Sequence, residues 1–253
     1  MIRPITSPHN PLFARLRQIS LRKDRLNAFF LAEGVRLAEE ALKSGCVREL
    51  VVRTPLSSPV KALLDTAEDS LPVWAVEEAA FRRIAETVTP QGVLAVCSTG
   101  DIAFPAPAYP ELSVALNGVQ DPGNVGTIIR TMDAAGLGTL YIDQTTADPF
   151  SSKVIRSTMG GIFRVPVRLE NSLSETLIRL HEGGSLIIGG ALNGSDLFSR
   201  PPCGKKACIV IGNEGHGIEE SILPLLDAKL RIPMPGGAES LNAAVSAGIL
   251  IYD

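Results

Sequence analysis

The amino-acid sequence predicts an α/β protein with a mostly parallel sheet in its C-terminal half and a smaller α/β unit before it. Short, near-continuous apolar runs alternate along the chain with segments whose apolar residues recur at helical spacing. Such runs suit strands that are covered on both faces, as in parallel sheets. A stretch at 99–111 separates the two halves. Because Pro105, Pro107 and Pro110 in this stretch exclude a continuous helix or central strand, it is expected to be a linker.

In the first half, residues 33–44 are expected to form a helix that ends at Gly45, since their apolar residues recur at helical spacing. Strands are expected at 49–52, 73–76 and 93–97, with a helix at 60–64. Residues 1–25 hold six basic residues against a single acid, Asp24. We interpret this stretch as a basic arm that can contact phosphates. A solvated, partly flexible arm without an RNA contact remains the alternative.

The second half is expected to alternate strands and helices from residue 112 onward. The predicted strands are 113–119, 140–143, 185–190, 208–211 and 230–233. The predicted helices are 125–135, 153–159, 173–182 and 241–251.

Composition excludes several classes of protein. The chain has 253 residues, of which 45% are hydrophobic and 20% charged, so intrinsic disorder is not expected. No apolar run reaches the roughly 18 residues of a membrane helix, and the N-terminus does not resemble a signal peptide. The cysteines form no CxxC pair and are expected to be buried free thiols: Cys46, Cys97, Cys203 and Cys208. Together these features suggest the cytoplasm.

Three unusual segments follow predicted strands of the second half, where ligands bind in open parallel sheets. The first motif, residues 117–130 (NGVQDPGNVGTIIR), contains the turn Asp121-Pro122-Gly123 and then Asn124, which is expected to cap the following helix. Arg130 lies six residues further on. The segment lacks both GxGxxG and the GK[ST] ending of a phosphate-binding loop, so by itself it identifies no nucleotide site.

The second motif, residues 209–218 (IVIGNEGHGI), places Glu214 and His216 among three glycines. His216 has no second histidine or cysteine at ligand spacing, so no metal site is expected and the ring is predicted to face solvent. The third motif, residues 232–248, runs from a Pro/Gly loop into a helix of small residues. Ser240 and Asn242 are placed to cap that helix.

Taken together and in this order, the three segments resemble motifs 1, 2 and 3 of the SpoU (TrmH-like) RNA 2′-O-methyltransferases of the SPOUT superfamily. Residues 148–166 also resemble the family's segment between motifs 1 and 2. The similarity covers 112–253 densely, and residues 30–98 resemble the family's accessory substrate-binding domain less specifically. The implied domains are a basic arm with a substrate-binding domain at 1–98, a linker at 99–111 and a methyltransferase domain at 112–253.

The resemblance implies a deep trefoil knot in the C-terminal domain, a homodimer whose active site is completed across the interface, and S-adenosylmethionine as cofactor. In relatives three loops enclose the cofactor, and here they correspond to 191–194, 211–217 and 232–241. The candidate cofactor-binding residues in these loops are Leu192, Ile211, Gly212, Asn213, Gly217, Ile232, Met234 and Leu241.

The resemblance also assigns catalytic positions. Arg130 is expected at the reacting hydroxyl, either as the base or as a clamp that positions the ribose. We favour the clamp, because the guanidinium pKa lies so far above neutrality that little arginine is neutral. Glu214 and Asn242 are expected to orient Arg130 and the substrate, while Asn124 and Ser240 hold the loops.

The implied substrate is a structured RNA, with large-subunit ribosomal RNA favoured over transfer RNA. The candidate RNA-binding residues are Arg15, Arg17, Arg22, Lys23 and Arg156, and no metal is expected. Two alternatives stay open from the residues alone. One is a nucleotide- or dinucleotide-binding enzyme that uses the glycine-rich loops, and the other is a non-catalytic RNA-binding module on the same fold.

Overall fold

A computed structural model describes residues 2–7, 9–22, 28–199, 204 and 206–253. The chain folds into two compact units. The first unit comprises Met1–Phe104 and Phe150–Phe163, and the second comprises Pro105–Pro149 and Arg164–Asp253. No helix in the described ranges is both long enough and apolar enough to span a bilayer.

The first unit is a five-stranded mixed sheet with helices packed on it. Its strands are β1 (Ile2–Ile5), β2 (Phe29–Glu33), β3 (Val47–Thr54), β4 (Val73–Glu77) and β5 (Val93–Ser98). Its helices are α1 (Pro11–Leu21), α2 (Val35–Lys43), α3 (Ser58–Asp65), α4 (Glu78–Ile84) and α6 (Ser152–Ser157). The strand order is β1-β4-β3-β5-β2, with β1, β4 and β3 parallel and β5 antiparallel to both β3 and β2.

The described part of the N-terminal stretch, residues 2–7 and 9–22, contains a strand and a helix, which corrects the expectation of a basic arm there. Residues 2–5 pair in parallel with β4, and α1 begins at Pro11 behind the side-chain cap Asn10. The helix buries Leu12, Leu16 and Ile19, which recur at helical spacing and join the core of the sheet. The basic residues of this helix, Arg15 and Arg17, are exposed.

The segment Phe150–Phe163 packs within the first unit, although the sequence resemblance placed it in the methyltransferase domain. The rings of Phe150 and Phe163 lie 5.0 and 6.0 Å from that of Phe30 in β2. An aromatic cluster that joins β2 to a segment some 120 residues later cannot be inferred from spacing along the chain. The predicted domain limits therefore remain proposals.

The second unit is a six-stranded sheet whose neighbouring strands are all parallel, as the apolar runs predicted. Its strands are β6 (Leu112–Asn117), β7 (Leu140–Ile142), β8 (Val167–Leu169), β9 (Leu186–Asp196), β10 (Ala207–Gly212) and β11 (Ala228–Arg231). Its helices are α5 (Pro122–Ala135), α7 (Leu173–Glu182) and α8 (Ala243–Tyr252). The strand order is β11-β9-β10-β6-β7-β8.

Helices cover the central strands of this sheet. Leu173 and Leu177 of α7 share one core cluster with Ile187 of β9 and Val210 of β10. The small-residue helix α8 packs on α5, β9 and β10. Burial of this kind explains why the strands read as near-continuous apolar runs.

Strand β9 is longer than predicted, ending at Asp196 instead of Gly190. It pairs with β11 in two stretches, Lys229 opposite Gly189 and then Leu230 opposite Ser195, so residues 190–194 fall between the two registers. Gly194 is required there, because a Cβ at this position would lie 2.4 Å from the carbonyl oxygen of Lys229. The trefoil knot remains an expectation from the resemblance.

Candidate active site

The three motifs leave the sheet at the same edge, at the carboxyl ends of β6, β10 and β11. Asn117, the last residue of β6, is in register with Gly212, the last residue of β10. Parallel strands that end together bring their following loops together, which is where ligands bind in such sheets.

The first motif turns into α5 at Asp121, which corrects the expectation that Asn124 caps this helix. The Asp121 carboxylate accepts hydrogen bonds from the backbone N–H groups of Gly123 (2.6 Å) and Asn124 (3.1 Å). Pro122 occupies the first helical position, where its missing N–H costs nothing. Since Asp121 satisfies the helix start, the side chain of Asn124 is available for other contacts.

Asn124 joins the three motifs through its carboxamide. The side chain is buried, with Asn124 only 8% exposed. Its Nδ2 donates to Glu214 Oε1 of the second motif (2.8 Å), and its Oδ1 accepts from Asn242 Nδ2 of the third motif (2.9 Å). A single buried amide is therefore hydrogen-bonded to residues of all three motifs.

Glu214 accepts hydrogen bonds from the turn of the first motif as well. Its two carboxylate oxygens accept from the backbone N–H groups of Gln120 and Asp121, each at 3.2 Å. Burial opposes ionisation of this group, but the hydrogen bonds from the Asn124 side chain and from backbone N–H groups outweigh it and lower the pKa of Glu214. The group is therefore held as a carboxylate.

Asn242 and Ser240 differ in what they contact. Asn242 is the N-cap of α8, since its Oδ1 accepts from the backbone N–H groups of Ala244 (2.9 Å) and Val245 (3.3 Å). Ser240 is exposed, and its hydroxyl makes no hydrogen bond with the residues that the structure describes. The capping role expected of both residues thus belongs to Asn242.

Arg130 lies on α5 and is exposed to solvent. Within the described ranges it forms no hydrogen bond or ion pair, and Glu214 and Asn242 direct their side chains to Asn124 instead. The expectation that these two residues orient Arg130 within the chain has no support in the geometry. The guanidinium is therefore available to contact a substrate or a second chain.

The second motif is closed on itself by backbone contacts. Asn213 and Gly217 exchange two backbone hydrogen bonds of 2.9 Å, and the Asn213 side-chain Oδ1 accepts from the N–H groups of Gly215 and His216. A Cβ on Gly212 would lie 2.2 Å from the carbonyl carbon of Gly217, so only glycine fits there. Asn213 Nδ2 also donates to the carbonyl oxygen of Gly118 (2.7 Å), which ties this loop to the first motif.

Asn117 is a site residue to which the sequence assigned no role. Its buried side chain donates to Asp143 Oδ2 (3.0 Å), after β7, and accepts from the backbone N–H of Glu219 (2.7 Å), just past the second motif. The signal in the sequence was a polar residue at the end of an otherwise apolar strand. Such a residue must find hydrogen-bond partners when it is buried.

The candidate cofactor-binding residues differ in exposure. Leu192 is 62% exposed and Leu241 37% exposed, an unusual state for leucine, while Ile232 and Met234 are partly buried and Ile211 is buried. Apart from chain neighbours, no heavy atom of the described residues lies within 4 Å of where a Cβ would stand on Gly236 or Gly237.

His216 is exposed, as predicted. Among the residues that the structure describes, no group of three or more histidine, cysteine or acidic side chains could hold a metal ion. Cys46, Cys97 and Cys208 are buried free thiols, as expected, and burial raises the pKa of Cys208 to about 12. Cys203 lies outside the described residues.

The candidate RNA-binding arginines differ in accessibility. Arg22 is buried, donates to the carbonyl oxygen of Phe29 (2.8 Å) and stacks over Phe150 at 5.5 Å, so packing accounts for it. Arg15 pairs with Glu49 and Arg156 with Glu86 (3.4 Å), while Arg17 is exposed. Lys23 lies outside the described residues.

The fold and site define a class of protein. It has a parallel α/β domain with three hydrogen-bonded loops at the carboxyl ends of its strands, and a separate α/β unit. The family model of the SpoU rRNA methylase family matches residues 111–252, and the family model of the MRM3-like substrate binding domain matches residues 10–95. The chain belongs to the SpoU rRNA methylase family, and the predicted resemblance and fold class are confirmed.

Named relatives extend over nearly the whole chain. The 23S rRNA (guanosine(2553)-2′-O)-methyltransferase RlmP of Bacillus subtilis (strain 168) is 35% identical over 253 residues, covering 99% of this chain and 98% of that protein. A solved structure of a TrmH-family RNA methyltransferase from Porphyromonas gingivalis superposes with a TM-score of 0.84 at 33% identity, covering 98% of this chain and 97% of that one. The AdoMet-bound rRNA methyltransferase from Sinorhizobium meliloti gives a TM-score of 0.82 at 32% identity, with 99% and 96% covered.

Proposed function

We propose that this chain is an RNA methyltransferase that transfers a methyl group from S-adenosylmethionine to a ribose 2′-hydroxyl of 23S ribosomal RNA. The observation that carries the proposal is the hydrogen-bonded link from Glu214 through Asn124 to Asn242. It joins the three family motifs at the edge of the sheet where a ligand is expected. The similarity to a 23S rRNA 2′-O-methyltransferase over almost the full length supports ribosomal RNA as the substrate.

The cofactor would be held by the loops around Leu192, Gly212 and Leu241, since these combine exposed apolar side chains with accessible backbone. S-adenosylmethionine supplies an electrophilic methyl group on a sulfonium centre. The chain's own task is to hold the 2′-oxygen about 3–3.5 Å from that methyl carbon and in line with the bond that breaks. The rigid link through Asn124 fixes the loops that must share this task.

Arg130 is the residue that we assign to the reacting ribose. Its guanidinium is exposed and has five N–H donors, which suit a phosphate or a ribose oxygen. We favour a positioning clamp over a base, because a guanidinium keeps its proton at neutral pH and so does not readily accept the proton of the hydroxyl. The proton of the 2′-hydroxyl would then leave to the substrate phosphate or to water.

We further propose that the enzyme is a homodimer and that the partner completes the site. Helix α8 exposes Val245 (51%) and Tyr252 (66%), and an apolar cavity of about 510 Å³ is lined in part by Leu250 and Tyr252. Exposed apolar surface on a helix of small residues favours close packing with a second chain. A location in the cytoplasm, with the ribosomal substrate, is part of the same proposal.

The test measures transfer of a labelled methyl group from S-adenosylmethionine to RNA isolated from cells that lack this protein. We expect label in 23S rRNA, in dinucleotides that resist alkaline cleavage, because a 2′-O-methyl group blocks that reaction. Label in transfer RNA alone would show that the substrate is tRNA. Binding of RNA without any methyl transfer would show that the chain is an RNA-binding module and not an enzyme. Mapping ribose methylation in cells with and without the protein identifies the nucleotide.

A variant pair tests Arg130. Arg130→Ala is expected to lose most turnover. Arg130→Lys is expected to retain part of it if the residue is a clamp, although lysine lacks the two-pronged guanidinium. Binding of S-adenosylmethionine should be unchanged in both variants.

A further inference from the structure

The first unit contains a cavity of about 470 Å³ between α1 and the sheet. This volume falls within the range of small-molecule pockets, roughly 300–1,000 Å³. Its apolar walls include Ile19 of α1, Phe29 of β2 and Val96 of β5. Glu49 of β3 also lines it, together with Arg15 and Arg48.

Glu49 is a buried carboxylate in this cavity, only 6% exposed. One oxygen accepts from Trp74 Nε1 (2.8 Å), and the other accepts from the Arg15 guanidinium. A carboxylate offers about four acceptor positions, so these two donors leave capacity for another. A ligand with an N–H group would find a fixed acceptor here.

Arg15 and Arg48 place positive charge where solvent reaches the cavity. Their side chains are 52% and 48% exposed, and each is fixed by a carboxylate, Glu49 for Arg15 and Asp101 for Arg48. Because a guanidinium carries five N–H donors, each arginine can hold its carboxylate and still donate to a phosphate.

We propose that this cavity binds one unpaired nucleotide of the RNA substrate, an inference that rests on the proposed function. The base would lie against Phe29 and the aliphatic walls with an amino group on Glu49, and the flanking phosphates would lie on Arg15 and Arg48. Unpaired bases that lie on aromatic side chains are the usual basis of single-stranded RNA recognition. A carboxylate acceptor favours bases with an exocyclic amino group, so cytosine and adenine should bind better than uracil.

Trp74 provides a local reporter, since it is the single tryptophan of the chain and donates to Glu49. The intact protein is titrated with single-stranded octamers of cytidylate, adenylate and uridylate while tryptophan emission is recorded. We expect a saturable change with the first two and at least about threefold weaker binding of oligouridylate. An octamer that binds by fluorescence anisotropy without changing the emission would overturn the proposal.

Variants locate the binding further. Arg48→Ala and Phe29→Ala are expected to weaken oligocytidylate binding by about threefold to tenfold, and Arg48→Ala should also reduce the salt dependence. Arg82→Ala is the matched control, because Arg82 is an exposed, carboxylate-paired arginine of the same unit outside the cavity. Equal affinities for wild type, Arg48→Ala and Phe29→Ala would contradict the subsite.

Glu49→Gln tests the base preference separately from affinity. The amide keeps one acceptor oxygen and adds an N–H donor that can hydrogen-bond to a uracil carbonyl. The ratio of the affinities for cytidylate and uridylate should therefore decrease. Methyl transfer to 23S rRNA, measured in parallel, separates the two proposals. Methyl transfer without any change in Trp74 emission on adding an octamer would refute the nucleotide subsite alone. A change in Trp74 emission without methyl transfer to any RNA would contradict the proposed reaction.

Discussion

Asn124 uses both ends of its carboxamide, so a change of one atom is expected to be severe. Asn124→Asp loses the donor to Glu214 and sets two carboxylates side by side. We expect the free energy of unfolding to fall by about 1–3 kcal/mol, and turnover to fall with it. Denaturant unfolding and methyl transfer measure the two effects.

Asn171→Asp is the matched control for this change. Asn171 is exposed and uses its Oδ1 as an acceptor from Gln144, a role that aspartate retains. If Asn124→Asp and Asn171→Asp unfolded at the same denaturant concentration, the joining role of Asn124 would be refuted.

Glu214 gives a pH dependence with a defined sign. Its pKa is lowered in the folded protein, so its contribution to stability is fully present above the ordinary glutamate value, about 4.3, and is lost as pH falls through the folded value. At neutral pH we expect the free energy of unfolding of the wild type to be larger than that of Glu214→Gln. This difference should shrink as the pH falls. Glu182→Gln, at an exposed glutamate of α7, should show no such gap, and a gap that widens in acid would contradict the assignment.

At the scale of elements, the second motif depends on the close approach of its own backbone. A Cβ on Gly212 would meet the backbone of Gly217 at 2.2 Å, whereas a Cβ on Gly215 would have its nearest neighbour, Asn213 Oδ1, at 3.5 Å. Gly212→Ala must therefore displace the loop, at a cost of about 1–3 kcal/mol or more, while Gly215→Ala fits as it stands.

We expect Gly212→Ala to lose S-adenosylmethionine binding and Gly215→Ala to retain it. Isothermal titration with the cofactor alone measures this without RNA. Two nearby glycines of one loop thus serve as test and control. Wild-type affinity in Gly212→Ala would show that the cofactor does not use this turn.

Many of the helices and strands could be predicted from the sequence, because the spacing of apolar residues follows which side chains are buried. Helix α7 spans 173–182 as predicted. Strand β9 extends past its apolar run since its last residues pair with β11, a tertiary contact that no local pattern records. Helix α1 was not predicted, although Leu12, Leu16 and Ile19 recur at helical spacing, because the six basic residues of 1–25 favoured a solvated arm.

The candidate site could be predicted only in part, because its contacts also join residues that are far apart in the chain. The bonds from Asn124 to Glu214 and to Asn242 span 90 and 118 residues of chain. Spacing cannot join residues so far apart, so the motifs identified which residues matter but not which of them touch. Opposite charge suggested that Glu214 would contact Arg130. In the structure Glu214 instead accepts a hydrogen bond from the Asn124 side chain.

At the scale of the whole molecule, the proposed function requires Arg130 to reach a site whose loops are joined through Asn124. The two side chains belong to the same helix, with Asn124 buried at its start and Arg130 exposed six residues later. If a dimer completes the site, Arg130 of one chain acts at the loops of its partner. A mixture of two inactive variants separates this arrangement from a site within one chain.

Arg130→Ala and Asn124→Asp are each expected to be inactive alone as dimers of twice 26.8 kDa, checked by sedimentation. A mixed dimer, however, contains one site that takes its loops from the Arg130→Ala chain and its arginine from the Asn124→Asp chain, and this site is intact. After random exchange of equal amounts, about a quarter of all sites should be active. If both residues served the same site from one chain, every site in the mixture would carry a defect and the mixture would stay inactive.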